Sequence, residues 1–502
     1  MSRLVVVSNR VPDLNAGAQA GGLAVALEDL MRRRGGLWFG WSGRVAESSG
    51  QAPRCYSHAG IDFATIDLNA AEHAGYYNGF SNSVLWPLLH SLPDLMAFDR
   101  RSAQVYREVN ARMADTLLSL LQRNDLIWVH DYHLMSLPAM LRARGVRAPI
   151  GFFLHIPFPS ADLLANAPES ATLLRDLLAA DLIGFQTVDD MENFAAAAMR
   201  ISGAARLSGN LLQLGSRRVR LGVFPVEIEA REFATIAETS WHDAATERLR
   251  RSLQGQLLML GVDRMDPTKG LPQRLAGFRR LLATHPEWQR QATFVQVAAL
   301  SRQEVGSYRE LRCQLDRDAG AINSEFGDID WTPLRLVARA GTRAAVAGYM
   351  REARVGLVTP LRDGMNLVAK EFVAAQDPQN PGVLVLSHFA GAARQLTEAL
   401  LVNPHDPDAM ADAMHRALLM PLGERRERWQ ALWQAIAHAT PLAWGRGFVA
   451  ALVRAGAAAT APRLPVPGLA PVAGRLAPVP AHPIAFHEAA AKPARQEPPQ
   501  LI

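Results

Sequence analysis

Cysteine is almost missing from this chain of 502 residues: Cys55 and Cys313 are the only two, and neither has partners at the spacing of a zinc site. A disulfide-stapled scaffold is excluded, and both thiols read as packing residues of a protein kept in a reducing compartment. Long apolar runs are missing too. None reaches the ~20 residues that span a bilayer, and the opening MSRLVVVSNR is too short for the apolar core of a signal peptide. A cytoplasmic protein without a membrane partner is expected. Long blocks of Lys or Arg are absent, and the formal charge of +5 is small and widely spread. That gives no footprint for nucleic acid, although small anions remain suitable partners. There is no internal repeat of solenoid length. His130 and His133 have no evident third ligand nearby, so no metal site is expected.

Hydrophobic residues at 49% and charged residues at 20% describe a soluble globular protein. The length exceeds what one hydrophobic core usually serves, which predicts two or more domains. Apolar runs rich in β-formers predict strands at Leu4 to Val7, Leu126 to Val129, Ile150 to His155 and Asp181 to Phe185. A second set follows at Leu257 to Val262, Thr293 to Val297, Val355 to Thr359 and Val383 to Leu386. Amphipathic stretches such as Ala103 to Leu121 and Leu271 to Leu282 lie between them. Strands alternating with helices predict an α/β fold of doubly wound parallel sheets. One set ends before about Pro225 and the other begins after about Gln256, which predicts two similar domains facing a cleft. Ligands of such sheets sit beyond the carboxyl ends of the strands, so the residues just past each strand are the candidates for a site.

The stretch VTPLRDGMNLVAKE, Val358 to Glu371, is a strand, a polar loop and a helix start. Unpaired amides of Met365, Asn366 and Leu367 suit an anionic or hydroxyl-rich ligand. Asp363 and Glu371, when ionised, accept hydrogen bonds only and fit sugar hydroxyls better than phosphate. An ordinary strand-to-helix turn has the same outline. Past Val7, Arg10 can pair with a phosphate, and Gly21-Gly22 lets backbone approach a ligand. Trp38, Trp41, Tyr76, Tyr77 and Trp86 offer aromatic faces for a sugar ring, though Trp38 and Phe80 read equally as core. Past Val129, Asp131 reads as a hydroxyl acceptor or a loop cap. His155 stands at a strand end fixed by the prolines of HIPFPS. Arg264 and Lys269, five apart around a turn, can both reach a pyrophosphate and stabilise it as a leaving group without a divalent metal. Arg302 offers another phosphate ligand. Asp328-Ile329-Asp330-Trp331-Thr332 matches a phosphatase pattern, but no apolar strand precedes it and the match reads as accidental.

Taken in order, SNR…GGLAVAL, LWFGWSG, YYNGFSNSVLWP, IWVHDYHL, GFFLHIPFP, LIGFQT, VDRMDPTKGLPQRL, LRDGMNLVAKE and PGVLVLSHFAGAA closely resemble the bacterial type of trehalose-6-phosphate synthase, glycosyltransferase family 20. The resemblance implies a GT-B fold, two Rossmann-like domains with a deep cleft between them. It implies an acceptor domain over 1–225, a nucleotide-sugar domain over 226–440 and a helix over 441–456 packing back on the first domain. A Pro/Ala-rich tail, 457–502, is expected to be disordered from its composition. The implied reaction moves glucose from UDP-glucose to glucose 6-phosphate with retention at the anomeric carbon, giving α,α-trehalose 6-phosphate and UDP, for osmoprotection and stress response. No cofactor or metal is expected, and no covalent protein nucleophile.

By motif position the resemblance assigns Arg10, Tyr77, Asp131 and Arg302 to glucose 6-phosphate, with Trp41 and Trp86 lining that pocket. It assigns Arg264 and Lys269 to the UDP diphosphate, His155 and Asp363 to hydroxyls of the donor glucose, and Glu371 to the ribose. Gly21, Gly22 and the run Gly364, Met365, Asn366, Leu367, Val368, Ala369 and Lys370 complete the donor site. His155, Asp363, Arg264 and Lys269 are the implied catalytic set. A homo-oligomer is expected, and a separate trehalose-6-phosphate phosphatase downstream. Three departures from the family pattern stand out: Glu227 in FPVEIEA in place of a small residue, able to alter closure or to point to solvent; Ala299-Leu300 before Ser301-Arg302; and Gly341 near the expected uracil. A glucosylglycerol-phosphate synthase and a catalytically silent sugar-phosphate sensor are the alternatives. The intact Arg264, Lys269, Asp363 and Glu371 speak against the sensor.

Overall fold

The computed structural model describes residues 2–12, 22–302 and 304–460, of which 22–26 and 458–460 by their backbone alone. Gly21 and the expected tail beyond Thr460 lie outside the described residues. Among the described residues there are two sheets. The first holds ten strands, of which seven run parallel in the order Ile61–Asn69, Leu37–Ala46, Leu4–Arg10, Leu126–His130, Ile150–Phe153, Leu182–Phe185 and Arg217–Val223. Arg54–His58 closes one edge antiparallel, and the hairpin of Ala205–Ser208 with Leu211–Leu214 closes the other. The second sheet is six parallel strands in the order Leu334–Val337, Ala292–Ala299, Leu257–Arg264, Val355–Val358, Val383–Ser387 and Leu400–Val402.

Each expected strand forms, with shifted ends. The strand expected over Ile150 to His155 stops at Phe153, so His155 stands in the loop beyond it. The strands Leu37–Ala46 and Ile61–Asn69 were not among the expected ones: glycines and polar residues interrupt the apolar run of the first, and acidic residues that of the second.

Parallel strands are buried on both faces, and the side-chain alternation divides each between two cores. Val5, Val7, Phe39, Ile127, Val129 and Phe152 pack on one face of the first sheet. Leu4, Val6, Trp38, Trp128 and Phe153 pack on the other, against Trp444, Phe448 and Leu452 of the last helix, Pro441–Thr460. Phe448 lies flat on Trp128 with ring centroids 4.4 Å apart. Gly151 and Gly184 make room for it, since a Cβ on either would lie 2.7 Å from its ring.

The chain passes from the first sheet to the second along Phe224 to Glu229, and that segment is pinned from both sides. The Val226 amide donates to Gln186 Oε1 at 2.9 Å, and its carbonyl accepts from Lys370 Nζ at 2.9 Å. No helix of the described residues is long and apolar enough to cross a membrane.

Candidate active site

Strand Leu257–Arg264 delivers Arg264 to its carboxyl end, where Asp266-Pro267-Thr268-Lys269 turns into the helix Leu271–Thr284. Lys269 Nζ reaches Asp363 Oδ2 in a short, partly buried ion pair at the loop after Val358. Asn366 Nδ2 and the Gly364 amide also donate to Asp363, each at 3.0 Å. Against the upward push of burial, Lys269, with help from His90 and Asn366, holds the Asp363 carboxyl below the usual carboxylate range. Asn366 caps the helix Leu367–Ala375 from a left-handed conformation, φ 68°. The cap takes the Ala369 amide and leaves those of Leu367 and Val368 as first-turn donors with no partner inside the helix. The loop is wedged against the other half of the molecule: a Cβ on Gly364 would lie 2.1 Å from the carbonyl oxygen of His155. Glu371 follows in the same helix, and burial, opposed weakly by Arg343, raises it to about 7.

Beyond the first sheet, Arg10 ends its strand exposed. Asp131 follows strand Leu126–His130 with φ 73°, a strained backbone for a residue with a Cβ, and its Oδ1 accepts from the His155 amide at 3.2 Å. Burial raises Asp131 to about 6, although Arg302 and Arg264 pull it down. The His155 ring meets His130 Nδ1 at 3.0 Å through Nε2, and burial lowers it to about 3, so the imidazole is neutral at pH 7. Tyr77 comes from a widely wound π-type helix, His73–Leu85, of a kind frequent at functional sites, Trp86 from the short helix Trp86–Leu89 that follows it, and Trp41 from strand Leu37–Ala46. Tyr77 lies between Trp41 (centroids 5.6 Å) and His133 (5.8 Å, nearly parallel). Trp86 lies under the Arg302 guanidinium, 4.0 Å from its ring centre, and Arg302 Nη2 reaches Tyr132 Oη at 3.2 Å.

These contacts link Lys269 to Asp363, Asp131 to His155, Trp41 to Tyr77 and Trp86 to Arg302. Arg264, half-exposed, also approaches the Trp86 ring, 5.7 Å from its centre. Met365 is buried, and Gly22 opens the helix Gly22–Arg34. Trp38 and Phe80 are core, the former donating to Ser8 Oγ at 2.8 Å.

Two donor-site residues implied by the resemblance offer no group to a ligand. The Ala369 amide is taken by Asn366 Oδ1 at 3.3 Å and its methyl is buried. The Lys370 ammonium turns away into the core and pairs with Glu227 Oε2 at 2.6 Å. Glu227, for which a solvent-facing position was one expectation, is buried by that pair and by Gln395 Nε2 at 2.9 Å. Arg302 keeps its place over Trp86 despite Ala299-Leu300 before it.

Sequence reasoning passed over Asp266 and Tyr308 and weighed His130 only as a metal ligand, although all three touch residues of the candidate site. Asp266, two residues beyond Arg264 in the same loop, carried the one usable signal. Asp328 and Asp330 both pair with the exposed Arg290, in keeping with an accidental motif. Among the described residues one trio, His285, Glu287 and His415, is close enough to hold a metal ion. Its imidazoles stack face to face at 3.7 Å, and Trp288 Nε1 donates to His415 Nδ1 at 2.9 Å, which takes that lone pair.

A family profile for glycosyltransferase family 20 matches residues 4–454. The trehalose-6-phosphate synthase of Sinorhizobium fredii is 44% identical over 453 residues, 89% of this chain and 98% of that one. The crystal structure of an α,α-trehalose-phosphate synthase (UDP-forming) from Burkholderia vietnamiensis superposes with a TM-score of 0.90 at 43% identity, covering 92% of this chain and 99% of that one. That of the Burkholderia xenovorans enzyme, in complex with glucose-6-phosphate, gives 0.87 at 41% identity over 90% of this chain and 100% of that one.

Proposed function

The chain belongs to glycosyltransferase family 20, and from that premise we infer that it makes α,α-trehalose 6-phosphate and UDP from UDP-glucose and glucose 6-phosphate. The observation that carries this reading is the family match over residues 4–454, whose strand ends hold the cations, carboxylates and aromatic faces that two anionic sugars require. The fold is GT-B, with the acceptor assigned to residues 1–225 and the nucleotide sugar to 226–440.

Arg264 and Lys269 take the diphosphate. On donor binding Lys269 exchanges part of its pairing with Asp363 for phosphate oxygens, which frees Asp363 for a glucose hydroxyl. The first-turn amides of Leu367 and Val368 add to the anion site, with Gly364, Met365 and Asn366 shaping the loop around the sugar. Glu371 accepts from the ribose. Neutral His155, held by His130, serves as a hydrogen-bond partner to the donor glucose. Arg10 and Arg302 bind the acceptor phosphate, Asp131 and Tyr77 its hydroxyls, and Trp41 and Trp86 line its ring. The C1–O bond to UDP breaks and the bond from C1 to the anomeric oxygen of glucose 6-phosphate forms on the same face. The proton of that hydroxyl passes to a diphosphate oxygen. The two cations stabilise the leaving diphosphate, and neither a metal nor a covalent protein nucleophile enters the scheme.

The test is UDP release from UDP-glucose by the purified protein with a chelator present, comparing glucose 6-phosphate, glycerol 3-phosphate and no acceptor. Release only with glucose 6-phosphate is expected. Release only with glycerol 3-phosphate, or none at all, overturns the acceptor assignment or the activity, and dependence on added divalent metal overturns the metal-free scheme. The product still carries its phosphate, so a separate phosphatase reaction must follow to give the free sugar. A homo-oligomer in the cytoplasm completes the reading, and sedimentation equilibrium checks the oligomeric state.

A further inference from the structure

Asp266 has no role in the scheme above, yet it is fully buried between the two halves of the cleft. Its Oδ1 accepts from the Thr268 amide (3.0 Å), Thr268 Oγ1 (2.9 Å) and Trp86 Nε1 (3.2 Å). Its Oδ2 accepts from Tyr308 Oη at 2.9 Å and faces Arg302 Nη1 at 3.5 Å and Arg264 Nη2 at 4.0 Å. Each carboxylate oxygen thus touches one member of the acceptor group, Trp86 from the first half of the chain and Arg302 from the second. Tyr308, from the helix Gly306–Phe326, also bonds Arg302, and Arg302 lies on the Trp86 face. Against burial, Arg302, Arg264 and Lys269 hold the Asp266 carboxyl far below the usual carboxylate range, so it stays charged throughout the working range.

Resting on the synthase reading, we propose that Asp266 is a positioning residue for the acceptor: it fixes the Trp86 indole and the Arg302 guanidinium across the cleft so that they meet glucose 6-phosphate in one arrangement. The alternative role for a buried anion among three cations is plain charge compensation. The two roles predict opposite signs. A mere compensator weakens the pull of Arg302 on a phosphate, and its removal lowers the KM for glucose 6-phosphate. A positioner raises that KM when removed, because Arg302 and Trp86 lose their common anchor while the net positive charge grows.

The experiment measures both KM values, kcat and UDP affinity in the parent enzyme, Asp266→Asn, Tyr308→Phe and the double variant. Parent turnover with glucose 6-phosphate tests the synthase reading by itself. Given that turnover, Asp266→Asn is expected to raise the KM for glucose 6-phosphate at least tenfold and Tyr308→Phe at least threefold. UDP affinity and the KM for UDP-glucose should stay within threefold, and the double variant should be no worse than Asp266→Asn. A lowered or unchanged acceptor KM, or an equal rise for both substrates, overturns the proposal. If Asp266→Asn does not fold, the selectivity of Tyr308→Phe decides by the same criterion.

Discussion

Asp131 shows how one residue can be costly to the fold and suited to the site. Burial raises its pKa from 3.8 to about 6, so the folded chain binds the proton more tightly than the unfolded chain does. Its favourable contribution is whole below the unfolded pKa and is lost as pH rises through about 6. Asp131→Asn should therefore melt a few degrees higher than the parent at pH 8, where the difference is worth ~3 kcal/mol, and that advantage should fade by pH 4. Catalysis should move the other way. A carboxylate that accepts from a sugar hydroxyl must be ionised, so kcat/KM for glucose 6-phosphate should rise through an acid limb near pH 6. The asparagine variant should lose both that limb and at least a hundredfold in kcat/KM. A pH profile and thermal melts on the two proteins check both signs. Glu371, raised to about 7, should leave a second limb in UDP-glucose binding that Glu371→Gln removes. Neither shift was legible in the sequence, because each depends on how deeply the folded chain covers the carboxyl. The candidacy of both residues was legible, since Asp131 stands just past a strand end and Glu371 in the first turns of the helix that follows the loop after Val358.

The loop between Val358 and Leu367 owes its shape to what surrounds it more than to its own composition. Gly364 lies so near the His155 carbonyl that a methyl group would sit 2.1 Å from the oxygen. Gly364→Ala must push this loop away from the His155 segment, and because the clash is with backbone it should lower the melting temperature as well as cut kcat/KM at least a hundredfold. Assay and melt on that variant test this together. The adjoining helix is tied to the crossing segment by the buried Lys370–Glu227 pair. Breaking such a pair leaves one uncompensated charge and costs ~3–5 kcal/mol, whereas replacing both members with apolar residues can be nearly neutral. Lys370→Met and Glu227→Leu should each lower stability in urea unfolding, and the double variant should recover most of the loss. Here the sequence was half legible. The strand, the loop and the helix start were all visible in VTPLRDGMNLVAKE, and so was the oddity of Glu227. What stayed hidden was the direction of Lys370, because a lysine beside Glu371 in a ligand-binding turn carries no mark of a buried partner 143 positions earlier.

At the scale of the whole molecule the chain crosses between its two sheets twice, along Phe224 to Glu229 and again before the helix Pro441–Thr460. The second crossing returns the last helix to the first sheet. Trp444 donates to the Phe224 carbonyl at 3.0 Å, on the first crossing, and lies edge-on to Phe153, two residues before His155. Phe448 fills the space above Gly151 and Gly184. The alternation of strands and helices was enough to predict two sheets, but which of them the final helix covers follows from residues three hundred positions apart, which no local pattern relates. The helix is consequently part of the core under the first sheet. Fully burying Trp444, Phe448 and Leu452 is worth ~2–3 kcal/mol each, a large part of the 5–15 kcal/mol that holds a typical protein folded. A chain ending at Ala439 should lose its cooperative melt and its activity together. A chain ending at Thr460 retains every described contact and should keep both the melting temperature and the turnover of the full chain. Melts and UDP-release assays on the two truncations decide this. Activity in the shorter chain would mean that the first sheet closes its second face without this helix.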